Sequence, residues 1–470
     1  MYDVIVIGSD MSSLLAALSL QKRHKKVALL HDGRHTAFTD TPVHLFPVDP
    51  LPWTGLTEGG LLAGILKEHD ISPPHDDQDG ALQVIFPDRR IDLSPRKSSR
   101  SAKESTLSAL HRATEKRGHA LNELMAKALH PGTNNRGKYI PGRAMRHAGE
   151  WIETLFLAAD ASLLKERSPL SGVVPVLNRV LSSRSDDIPI HAPAFFHFLN
   201  EASHGFVSPG AKGKLTDSLK ERFASLGGES FDIGPLSDLS IGREIAVEFE
   251  GEAVPSRIEA ANLIVSLKWS GFSSFIKDDP RFSQLRRTLE PVSVREYPFA
   301  IHLGVDEGAF PEKMSNHVML FDDSYRSYIG RNIYYLERSA AGDDESAPAG
   351  SRSLTVTTLL YNSPLSLNRT CLEWVFEDTV RNISRFLPFL GEHTYFRDAG
   401  FSIDISRSCQ EVVNRKYYVR KGLFSDIHSL SSHTTPIGNV FITGGMLLPG
   451  LGFDGEVLSG LHVARCLDEE

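Results

Sequence analysis

Residues 2–33, YDVIVIGSDMSSLLAALSLQKRHKKVALLHDG, run through a β-branched strand, a tight turn at Gly8, a helix with an apolar stripe and a second strand. That order dictates a βαβ unit, whose crossover has one permitted hand. Near the other end, NVFITGGMLLPGLGFDGEVLSGLHVARCL reads as a strand, a glycine-rich turn and another helix. The two ends therefore read as two halves of one site.

The opening unit has the form of a Rossmann dinucleotide-binding half, whose fingerprint G-x-G-x-x-G assigns a task to each glycine. The first makes the turn, the second admits a pyrophosphate, and the third lets helix and strand pack closely. Here Gly8 is followed by Asp10 and Ser13 at the second and third places. A helix N-terminus attracts anions, whereas Asp10 brings a carboxylate of its own, and aspartate is among the best N-cap residues. Its side chain is expected to satisfy the N–H groups a phosphate would use. The acidic residue expected at the end of the second strand is His31, with Asp32 one place later.

A chain of 470 residues exceeds the size at which one core keeps growing, so two or more domains are expected. Its 41% hydrophobic, 9% aromatic and 23% charged residues are those of an ordinary folded protein. The net charge of −8 argues against nucleic acid as a main partner. Cys371, Cys409 and Cys466 are too few and too scattered for a disulfide framework or a C-x-x-C pair, which points to a reducing, cytoplasmic setting. No secretory signal and no membrane-spanning stretch are apparent. No P-loop, Ser-His-Asp pattern or metal-ligand spacing occurs, so no metal is expected and no catalytic side chain is assigned.

Between the ends, SPRKSSRSAKES leads into a polar helix over Leu107 to Leu129. Such a charge run reads first as a solvated face, and second as a peripheral membrane contact through Arg96, Lys97, Arg100 and Lys103 in the basic stretch 95–103. Helical periodicity dominates from Gly149 to Gly205. There His197 and His204 read as core or rim histidines. A return to α/β follows, then alternating strands from Arg295 to Leu360 and a helix from Asn368 to Leu387.

In this order the segments resemble the FAD-dependent phytoene desaturase and flavin amine oxidase superfamily. The opening βαβ is similar to its pyrophosphate unit, and GFVSPGAKGKLTDSLKERFASLGGESFDIGPLSDL to its passage of glycine turn, helix, Gly-Gly and strand. DDESAPAGSRSLTVTTLLYNSP resembles the Ala-Pro-x-Gly loop of the phytoene desaturase branch, and NVFITGGMLLPGLGFDGEVLSG the second flavin segment. The resemblance implies an α/β fold, with a discontinuous Rossmann-like FAD-binding domain and a mixed-sheet and helical substrate domain. The FAD-binding parts would be 1–75, 205–290 and 426–470, and the substrate parts 76–204 and 291–425. It puts Gly8, Asp10 and Ser13 at the FAD pyrophosphate, His31 or Asp32 at the ribose, and Leu236 at the adenine. Gly444 and Gly445 would face the pyrophosphate and ribitol, and Gly455, Glu456 and Val457 the pyrimidine edge of the flavin. The family's Gly-Gly-Arg run is replaced by GRHTAFTDTP.

Two functions follow as expectations. One is an FAD-dependent oxidoreductase acting on an apolar, isoprenoid or lipid-like substrate by hydride transfer to flavin. The other is a flavin-free relative that binds or carries a lipid or prenyl group, as the GDP dissociation inhibitors do on this architecture, or that assembles with another enzyme.

Overall fold

The computed structural model describes every residue except 32–37, 41–43, 48, 74–81, 94–172, 184–200, 203–204, 234–235, 250–256, 270, 290–292, 323–331, 364–367, 409–415, 419–432, 449–450 and 468–470. The expectations for Asp32, His197, His204, Cys409, the basic stretch 95–103, the helix over Leu107 to Leu129 and most of the helical region from Gly149 lie outside the described residues. No helix among the described residues is long and apolar enough to cross a membrane.

The expected fold class is the observed one. β1 (Tyr2–Ile7) pairs in parallel with β2 (Val27–His31) on one side and with β3 (Arg257–Ser266) on the other. Glu229–Asp232 extends the sheet beyond β2, again in parallel. β3 is long enough to serve two sheet regions. Its second half pairs in parallel with Val440–Thr443, and its first half pairs antiparallel with Ile245–Phe249, which turns back to Leu236–Ile241. One seven-stranded mixed sheet thus gathers strands from three distant stretches of chain. The interiors of β1 and β2 are fully buried, because helices α1 (Met11–Lys22), α2 (Pro209–Ser225) and α3 (Gly452–Cys466) build a core against one face and Phe272, Ile276 and Phe282 cover the other.

The second sheet has eight strands and is mostly antiparallel, with β4 (Ser293–Asp306), β5 (His317–Phe321), β6 (Ile333–Arg338) and β7 (Ser351–Tyr361) at its centre. Its two faces differ in chemistry. Tyr297, Phe299, Ile301, Leu303, Leu354, Val356, Tyr334 and Leu336 form one apolar core with the helix Arg369–Ile383. Alternation puts Glu296, His302, Thr355, Thr357, Tyr335, Glu337 and His317 on the opposite face, toward the first domain. Several of these polar groups are paired. Arg179 binds Glu296, Lys212 donates to Glu337 at 3.0 Å, His317 Nδ1 meets the Tyr335 hydroxyl at 2.7 Å, and the Thr357 hydroxyl donates to the Pro50 carbonyl at 3.1 Å. Burial pushes His302 and His317 down to about 3, so both imidazoles are neutral.

α1 and α3 lie in close contact because small residues face each other. A Cβ on Gly460 would sit 2.3 Å from the Ser12 carbonyl oxygen. Alanine in a free helix would add about 1 kcal/mol over glycine. At Gly460 the clash reverses the sign. Gly460→Ala is expected to lower stability by about 1–3 kcal/mol, read from the urea midpoint, and a midpoint at or above that of the parent would show that the helices have room to part.

Candidate functional site

The carboxyl ends of β1 and β3, the first turn of α1 and the first turns of α3 meet at one point. In open α/β sheets this is where ligands bind, beyond the strand ends and against a helix N-terminus. Gly8 makes the turn out of β1 with φ +149, and its N–H donates to the Leu30 carbonyl at 2.9 Å. A Cβ here would lie 2.3 Å from Ser13 Oγ and 2.6 Å from Ser266 Cβ. Glycine is therefore required by the side chains packed on it.

Asp10 caps α1 and is 7% exposed. Its Oδ1 accepts from the Ser13 N–H at 2.8 Å, the Ser13 hydroxyl at 2.8 Å and the Ser12 hydroxyl at 2.7 Å, while its Oδ2 accepts from the Ser266 hydroxyl. Burial alone would raise this carboxyl. The Lys268 charge and the donors from Ser266, Ser13 and Ser12 overcome it and hold Asp10 below the usual carboxylate range. Ser13 thus has a positive task, which is to orient Asp10 with both its backbone and its hydroxyl.

A second carboxylate reaches the same helix end from the far terminus of the chain. Glu456 Oε1 accepts the Met11 N–H at 3.0 Å, and Oε2 pairs with Lys268 Nζ. Glu456 is 3% exposed, and the Lys268 side chain 11%. Burial raises Glu456 and Asp10 adds repulsion, so that despite Lys268 it is pushed up to about 7. Burial would lower Lys268, but Glu456, Asp10 and Asp49 reverse that and keep it firmly protonated. One cation serves two carboxylates. Asp10 has four donors of its own, and Glu456 has the lysine and the Met11 N–H.

The remaining expected residues fall in two groups. Gly444, Gly445, Gly455 and Val457 gather round the same corner. The Gly444 N–H donates to the Ser459 hydroxyl at 2.9 Å, a Cβ on Gly445 would meet the Glu456 side chain at 3.3 Å, and one on Gly455 would meet the Leu448 carbonyl at 2.3 Å. Val457 is buried in the core shared with α1. These positions are explained by packing of the chain on itself. His31 and Leu236 lie apart from the cluster. His31 ends β2 with Nδ1 3.8 Å from the Asp232 carboxylate of the next strand, and Leu236 opens the antiparallel edge opposite Phe249.

Ser266 and Lys268, which sequence reasoning missed, complete the arrangement. Their signal was present in LIVSLKWS, where a serine and a lysine follow a buried strand at its carboxyl end, the place where α/β sheets put ligand-binding groups. The Trp53 ring stacks on Phe453 at 4.8 Å and 12°, and Asp49 accepts from Trp53 Nε1 at 3.1 Å, so the 49–54 segment closes over the start of α3.

The test of fit for a dinucleotide is therefore specific. A pyrophosphate needs free N–H groups at the start of α1. Those of Met11 and Ser13 are taken by Glu456 and Asp10. Two further negative charges would lie against a cluster whose single cation is already shared. The residues present do not fit that group. Among the described residues no cluster of His, Cys, Asp or Glu could hold a metal ion.

No protein-family model and no curated sequence matches the chain. Solved structures resemble it over nearly its whole length at low identity. An oxidoreductase from Methanosarcina mazei has a TM-score of 0.58 at 15% identity, covering 98% of this chain and 100% of its own. A variant of putrescine oxidase, made to redesign cofactor binding, has 0.57 at 14%, covering 100% and 99%. A Pyrococcus furiosus protein has 0.56 at 13%, covering 99% and 98%. The chain shares with these structures a Rossmann-like α/β fold.

If the cluster is structural, opening it destabilises the protein. Asp10→Ala strips the cap of α1 and leaves the Ser12, Ser13 and Ser266 hydroxyls short of an acceptor, so a loss of about 2–4 kcal/mol is expected at neutral pH. An unchanged urea midpoint would show that the carboxylate is idle in the fold.

Proposed function

We propose that this protein is a non-redox user of the oxidoreductase fold, acting by binding or assembly and carrying no flavin. The observation that supports it is the occupation of the α1 N-terminus by Asp10 and Glu456, with Lys268 between them. Each of the three would have to be displaced before a pyrophosphate could sit there. Asp10 in particular is held inward by four donors, and an outward rotamer would strand all of them.

The partner we propose is an apolar, lipid-like molecule held by the second domain. The reading follows from the resemblance to carriers on this architecture, and the domain has an apolar interior, where Val176 and Leu177 of the helix Val173–Leu181 pack on Val84, Met319, Phe321 and Ile333. On the same sheet face Lys212 of α2 pairs with Glu337 and Arg179 of the Val173–Leu181 helix pairs with Glu296.

The purified protein is expected to be colourless, and its melting temperature to ignore added FAD. A ligand that bound the native state at a hundred times its Kd would stabilise by about 2.7 kcal/mol, an easily read shift. Absorption near ~450 nm with such a shift would overturn the proposal and make the chain an FAD-dependent oxidoreductase, with hydride transfer to the flavin as its chemistry. Solvent extraction followed by mass spectrometry checks the ligand class, and recovery of no lipid would count against the carrier role.

A further inference from the structure

At the other end of α1 from the Asp10 cluster, three helices from distant stretches of chain finish at one corner. The helix Leu61–Glu68 shares a core with α1 and α2 through Leu62, Ile65 and Leu66. It stops in a Schellman turn: the Ile71 N–H donates to the Leu66 carbonyl at 2.8 Å, the Asp70 N–H to the Lys67 carbonyl at 3.2 Å, and Asp70 takes the left-handed φ of +58. The last carbonyls are answered from neighbouring helices. Lys22, the final residue of α1, donates to that of Glu68. Arg222 of α2 donates through Nε to that of His69 at 2.9 Å and through Nη2 to the Asp70 carboxylate at 2.9 Å. His69 is 1% exposed, and neither of its ring nitrogens has a hydrogen-bond partner.

We propose that His69 is an acid-operated latch: its neutral ring lets the ends of α1, α2 and the helix Leu61–Glu68 close on one another, and a proton on the ring opens the corner. An imidazolium has two N–H donors and a charge, and a ring enclosed without a single acceptor can answer neither. A helix C-terminus ordinarily welcomes a protonated histidine. Here the carbonyls of Glu68 and His69 are already held by Lys22 and Arg222. The charged groups facing the ring are Lys22 from α1, Arg222 from α2, and Glu68 and Asp70 on either side of His69. Both acids are exposed, and Asp70 is paired with Arg222. Burial, joined by Lys22 and Arg222, outweighs the acids and holds His69 below the ordinary histidine range. The sign follows from linkage: a histidine lowered in the folded state contributes stability that is complete above its unfolded value of about 6.5 and is lost as pH falls toward the folded one. The latch is therefore shut at neutral pH and opens in mild acid.

The test compares urea unfolding of the full chain with that of His69→Leu from pH 8 to pH 5. Leucine fills a similar space and cannot take a proton. Every other titrating group is present in both chains, and Asp10 and Glu456 lie a full α1 length away, about 18 Å for its 12 residues, so their titration cancels in the comparison. The folding constant of the parent, divided by that of the variant, is expected to be level above pH 7 and to fall by up to about tenfold per pH unit below pH 6. Parallel curves overturn the latch. Should the variant not fold, amide exchange of the parent answers the same question. Protection of the Ile71 N–H, corrected for the intrinsic rate, is expected to drop several-fold more than that of the β1 amides between pH 7 and pH 5, and an equal change in both overturns the proposal. The corner shares no residue with the Asp10 cluster, so failure here leaves the flavin-free reading standing.

Discussion

Two carboxylates and one lysine at the start of α1 determine how the rest of the first domain is put together. A helix N-terminus presents unpaired N–H groups and partial positive charge, and something must answer them. In this protein the answer is internal. Asp10 takes the Ser13 N–H and Glu456 takes the Met11 N–H, and Lys268 pairs with Glu456 while its charge also acts on Asp10. The contact brings together residues separated by 445 positions, which closes the discontinuous domain on itself. The glycines at Gly8, Gly455 and Gly460 serve the same closure, since each admits a neighbouring side chain or carbonyl at a distance no Cβ would allow.

The second domain shows the same preference for buried charge in pairs. Its sheet packs one face on the helix Arg369–Ile383, and on the other face Lys212 with Glu337 and Arg179 with Glu296 are almost fully enclosed. Such pairs add little net stability over apolar residues, but removing either partner strands a charge.

Much of this was legible in the chain. The opening strand, turn, helix and second strand read as a βαβ unit, and the departure of Asp10 from glycine was visible at once. That Asp10 would act as an N-cap followed from its residue type and place. Glu456 was legible only as a residue at a helix start, and the chain gave no sign that it would reach back to Met11. Ser266 and Lys268 were overlooked because a serine and a lysine after a strand are common, and they acquire meaning only through what β3 points them toward. Asp32 and the basic stretch 95–103 stand outside the described residues.

What the sequence by itself determined is the fold class and the erosion of the phosphate-facing positions, because both rest on local spacing: period, turn chemistry and residue size at fixed offsets. What only the tertiary structure decided is that the eroded site is filled. That required the charge of Glu456, the charge of Lys268 and the free end of α1 to meet across three strands of one sheet, and electrostatic pairing over such separations has no signature in local sequence.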